Sequence, residues 1–216
     1  MVNLPLIIAY TSIGSVLVPL CIFIFKRCRI VKGLEWLIVL LIVSLLCDLS
    51  SWILLRYSVN TYPLVNFYLL AQFSVLYYLF FRHLKQLPIL KWIFIFFCCF
   101  YITNISFFQG PFQFNSVSNA FASIILMGLS LYYLFTLLKE LPTVTIHLLP
   151  ILWISFAALA YYGGNFFLFL FSNYLTSGIG ESLMILWVLH NILNIIKNIL
   201  FAIALWQAYL NTKLSI

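Results

Sequence analysis

Lys197 and His190 stand on one apolar segment, residues 181–209, together with Asn191, Asn194 and Asn198. At about 100° per residue on a helix these five side chains fall within an arc of roughly 120°, while Leu, Ile, Val, Phe and Ala fill the rest of the circumference. An ionisable side chain near the centre of a bilayer costs roughly 3 kcal/mol on insertion scales, so such a stripe faces protein or water and marks a candidate site. The chemistry open to it is ligand or ion binding, proton relay or a two-state switch. A second stripe lies on residues 34–55, where Asp48 shares a face with Ser44, Ser51 and Trp52 by spacings of three and four. Asn66 and Gln72, on residues 63–81, can join it. Asp48 is the acidic partner that Lys197 could meet inside the bilayer. Counted from the midpoints of their segments, the two Cα atoms differ in depth by roughly 7 Å, within reach of a Lys side chain if the two helices are neighbours. The same residues would also serve as a buried network that only fixes helix packing, each interhelical polar contact contributing about 0.6 to 2 kcal/mol.

The elements that must hold these residues are membrane-spanning helices. Of 216 residues, 65% are hydrophobic and 7% charged, against about 25% charged in ordinary soluble domains. At roughly 20 apolar residues per span, the chain accommodates seven helices and short connections. These are expected at about 4–25, 34–55, 63–81, 89–108, 116–138, 146–171 and 181–209, forming a single all-α domain over 1–216. No soluble catalytic or nucleic-acid-binding domain fits in what is left. Pro19 is expected to kink the first helix, and Gly163-Gly164 to bend the sixth or bring it close to a neighbour. The first apolar run carries its positive charges after it and no small-residue cleavage pattern, so it reads as a retained helix.

Charge placement sets the expected orientation. With the N-terminus outside and the C-terminus inside, Lys26, Arg27, Arg29, Lys32, Arg82, Lys85, Lys91, Lys139 and Lys213 fall inside and Arg56 alone outside. The net charge of +7 is thus read as topology and not as affinity for nucleic acid. Trp36, Trp52, Trp92 and Trp206, with Tyr57, Tyr62 and Tyr209, are expected near the helix ends, as interfacial anchors. The five cysteines show no metal-binding or redox spacing and read as small hydrophobes plus one thiol, Cys28, beside the basic run. The low-charge, Phe- and Ile-rich composition fits a bacterial inner membrane or an organellar membrane, and the former is expected by frequency alone.

Weaker signals remain. Asn165 beside Gly163-Gly164 either lines a cavity or satisfies bent backbone, and Glu181 suits a helix N-terminus. Arg82, His83 and Lys85 form a basic cluster. No hydrolase, zinc-protease, phosphate-loop or dinucleotide motif is present, and no motif implies a cofactor. His147 and His190 lie at different depths, which disfavours paired haem ligation. Seven helices, an outer N-terminus and a Lys in the middle of the seventh helix resemble the rhodopsin architecture, in which that Lys forms a Schiff base with retinal. The matching residue is Lys197. Asn66 and Gln72 stand on the third helix, where microbial rhodopsins carry an acidic counterion, and Leu193 stands where they carry an Asp. The receptor motifs NPxxY and DRY are missing. The resemblance is one of topology and one residue.

The leading expectation is a non-enzymatic seven-helix sensor or signalling partner with a polar site between the second, third and seventh helices. It would bind a small, apolar or lipid-borne ligand and act on a membrane or cytoplasmic protein, since it has no output domain. The alternatives are a small transporter or channel for an ion, proton or small molecule, a structural subunit of a larger membrane complex, and a retinal-type chromophore protein using Lys197.

Overall fold

The computed structural model describes residues 4–26, 34–84, 87–140, 146–176 and 180–214, with side chains omitted at 173–176, 180–185 and 212–214. Arg27, Cys28, Arg29, Lys32, Lys85, Leu141-Pro142 and Ser177-Gly178 lie outside the described residues, as do the side chains of Glu181 and Lys213.

The structure is 91% helix, without strands among the described residues. Helices close every backbone hydrogen bond within their own segment, which is what an apolar solvent demands. The order is α1 Leu4–Ser15, α2 Leu17–Lys26, α3 Glu35–Arg56, α4 Tyr62–His83, α5 Pro88–Thr103, α6 Ser116–Glu140, α7 Pro150–Thr176 and α8 Gly180–Leu214. A π-helical turn, Asn104–Phe108, extends α5, and a 3-10 turn, Ile146–Leu148, precedes α7. Taking α1 with α2, and α5 with its π turn, seven helices are long and apolar enough to cross a membrane. The first of them breaks at Val16 and not at Pro19 itself. Pro19 has no N–H to offer the Ser15 carbonyl and its ring crowds that carbonyl, so the helix parts one turn before the proline.

Packing follows the chain into a ring. α3 lies on the first span and on α4, α4 on α6 and α7, α6 on α7, α7 on α8, and α8 returns to α1 and α2. α5 sits outside the ring against α4 and α6. Phe97 stacks on Phe73 with ring centroids 3.7 Å apart, and Tyr77 donates its hydroxyl to the Leu90 carbonyl. α7 and α8 approach closely at Gly164, where a Cβ would stand 2.5 Å from Leu193 Cδ1. That close contact is the second of the two expectations for the glycine pair.

Around the outside, Ile24, Leu46, Phe67, Phe96, Leu131 and Phe167 are exposed. So continuous an apolar surface is compatible with an integral membrane protein in lipid. Trp36, Trp52, Trp92 and Trp206 are exposed near helix ends, and cations lie over rings there: Lys26 is 4.9 Å from the Trp206 centroid and Arg56 4.6 Å from that of Trp52. Among the described residues Lys26, Arg82, Lys91 and Lys139 gather at one end of the bundle, the basic end, and Arg56 stands at the other.

Candidate functional site

The seventh-span polar stripe divides between two neighbouring helices, α1 and α7, and its own backbone. Asn194 donates to Ser12 Oγ (2.9 Å) and Asn198 to Ser15 Oγ (2.7 Å), so both tie α8 to α1. Asn191 turns back to the Trp187 carbonyl of its own helix, 2.9 Å away. His190 faces α7, where its Nδ1 lies 3.0 Å from Asn165 Oδ1. Asn165 spends its Nδ2 on the Tyr161 carbonyl (2.8 Å). Its oxygen can therefore only accept, which makes His190 Nδ1 the donor and leaves Nε2 of the neutral ring as an acceptor. Lys197 is buried with its Nζ 4.4 Å from the centroid of the Tyr161 ring, in the geometry of a cation–π contact.

Asp48 and Lys197 are close enough to interact electrostatically, yet they do not close into an ion pair within 4.0 Å. The reason is architectural: α3 and α8 both pack on the first span but are held apart from each other. The space between them is a cavity of about 590 Å³, walled by α3, α4, α6, α7 and α8. Ser44, Asp48, Gln72, His190 and Asn194 lie on its wall, together with Tyr68, Asn119 and Tyr161. Lys197, Asn198, Asn191, Ser51 and Asn66 do not.

From Leu55 at its mouth to Ser44 at its floor, the cavity descends eleven residues of α3, about 16 Å, or half of a hydrocarbon core. Leu55, Tyr62 and Trp187 on its wall are exposed, at the end opposite the basic end, and that end is taken as its mouth. Phe114 stands there among Tyr62, Phe169 and Trp187, with ring centroids 6.2 to 6.4 Å away. One or two turns beyond the floor, Leu41, Leu76, Ile154 and Phe201 are all buried and fill the bundle toward the basic end.

The wall is incompletely paired. Tyr68 donates to Ser44 Oγ at 3.1 Å. Gln72 is 3% exposed and its Nε2 has no hydrogen-bond partner among the described residues. A buried amide without a partner costs about 1 to 3 kcal/mol, so a water or ligand polar group belongs beside it.

A second polar cluster lies at the same end of the bundle, outside the cavity. Asn104 Nδ2 faces three acceptors, Gln109 Oε1 and Ser118 Oγ at 3.0 Å and Asn115 Oδ1. Gln109 also donates to Ser116 Oγ at 2.8 Å. Asn66 donates to the Pro111 and Gln113 carbonyls (3.1 and 3.0 Å) and accepts from the Asn115 amide. Asn66 is thereby committed to the connection between the π turn and α6. Sequence reasoning passed over Asn104, Gln109, Asn115 and Asn119; their density within residues 104–119, around Gly110-Pro111, was the available signal. It also passed over Tyr68, Tyr161 and Trp187, which by composition alone are ordinary apolar filling.

Among the described residues no group of three or more His, Cys, Asp or Glu could hold a metal ion. Compared with models of protein families, with curated proteins and with solved structures, the chain matches none.

Proposed function

We propose that this protein is a non-enzymatic membrane sensor that binds a small ligand in the chamber between α3, α4, α7 and α8. The observation that carries the reading is the chamber itself, about 590 Å³, walled by Asp48, His190 and a Gln72 Nε2 that has no partner among the described residues. That volume lies within the range of small-molecule sites, which combine apolar walls with a few convergent polar groups. A subunit held together only by packing calls for a filled, paired interior at this depth. A transporter calls for a second path, where Leu41, Leu76, Ile154 and Phe201 are buried instead.

Binding has a direct route to a change of shape. α3 and α8 both pack on the first span and face each other across the chamber, so a ligand touching both walls sets their spacing. α8 is also bonded to α1 through Ser12 and Ser15, just before the break at Val16. A shift of α8 is therefore passed to the first span and to its basic end. By the asymmetry of Lys and Arg, that end faces the cytoplasm and the chamber opens outward, where a membrane or cytoplasmic partner reads the change.

The test is Ser44→Cys in a cysteine-free background, in sealed oriented vesicles, with a small membrane-impermeant thiol reagent. Labelling from the chamber end alone is the expected result. Labelling from both ends converts the reading to a transporter or channel, and protection from both ends makes the interior a dry packing core.

A further inference from the structure

Resting on the ligand-binding reading above, we infer that the chamber selects a small organic cation with a flat apolar body. Its ammonium would lie on Asp48 and its body among the aromatic rings nearer the mouth.

Among the described wall residues Asp48 is the one formally charged side chain. Its carboxylate makes no ion pair within 4.0 Å and no hydrogen bond to another described residue. Lys197 does not take it up, because its ammonium rests on the face of Tyr161 and is not itself on the wall. The carboxylate is therefore available to a cation from the chamber, by a charge-assisted hydrogen bond.

The remaining wall points the same way. Tyr68 and Tyr161 flank the deep part, and Tyr62, Phe114, Phe169 and Trp187 form the upper part. Aromatic faces carry negative potential and attract ammonium groups, and they cover a flat hydrocarbon body. His190, with Nδ1 committed to Asn165, presents an acceptor at Nε2 in its neutral form. An anion finds no cation on the described wall.

Three probes of one shape separate charge from shape: benzylammonium, benzyl alcohol and benzoate. Each is tested for protection of Ser44→Cys from the thiol reagent, in the full-length protein in detergent. Benzylammonium is expected to protect at concentrations at which the alcohol and benzoate do not. Asp48→Asn should weaken that protection by at least about tenfold, the size of one charge-assisted contact, and Asp48→Glu should restore most of it. Equal protection by the alcohol, stronger protection by benzoate, or indifference to Asp48→Asn overturns the cation assignment and leaves the chamber reading standing. Failure of Ser44→Cys to react at all removes both. The comparison of the three probes is made with Asp48 in place, so it decides the matter even if Asp48→Asn does not fold.

Discussion

The cluster around Asn104 and the chamber wall around Gln72 are drawn from the same residue types and lie at the same end of one bundle. Around Asn104, short polar side chains from the π turn, the following connection and the start of α6 bond mainly to one another, with Asn66 of α4 joined to them. One amide nitrogen there, Asn115 Nδ2, lacks a hydrogen-bond partner among the described residues. Around the chamber of about 590 Å³, Gln72 Nε2 has no partner among the described residues, and Asp48 on the wall and Lys197 behind it stay apart. Buried polarity that is paired fixes a structure. Buried polarity beside a cavity holds capacity for something else, and it is retained at a cost in stability.

The largest expected effect comes from breaking the paired cluster. Asn104→Ala takes the amide donor from Asn115, Ser118 and Gln109, of which Gln109 Oε1 keeps the Val117 amide, and should cost about 3 kcal/mol, a fall of roughly 6 to 12 °C in Tm for a chain of this size. Asn66→Ala frees the Pro111 and Gln113 carbonyls and should cost about 2 kcal/mol in the same thermal unfolding assay in detergent. In the chamber the sign changes. Lys197→Met removes a desolvated ammonium without a close carboxylate and should raise stability by about 1 kcal/mol, the lost Tyr161 contact offsetting part of the gain. Gln72→Leu removes an unpaired amide and should stay within about 0.5 kcal/mol of the parent. A loss at Gln72→Leu as large as that at Asn104→Ala would erase the contrast between the two regions.

The division into spans was legible, because apolar runs punctuated by turns and basic residues leave little freedom. At Gly163-Gly164 the sequence left a bend or a close approach open, and the contact with Leu193 settles it as an approach. The polar stripe of α8 was visible, but its fate was not. Asn194 and Asn198 bond to Ser12 and Ser15, more than 180 residues away in the chain, and a single helix wheel shows which residues share a face, not which neighbour each meets. The separation of Asp48 from Lys197 depends on the first span lying between α3 and α8, a fact of ring order that depth counting does not contain. The Asn104 cluster stayed hidden because Asn, Gln and Ser beside a Gly-Pro turn are what any connection carries.

The contrast is tested most directly by reactivity at two matched depths of burial. Gln72→Cys and Ser118→Cys, each in a cysteine-free background, begin from side chains 3% and 0% exposed. With a small thiol reagent in detergent, Gln72→Cys should react at least an order of magnitude faster, since its wall borders a chamber open to water. Equal, slow reaction at both positions would mean that the chamber is closed and dry, and would contradict the account.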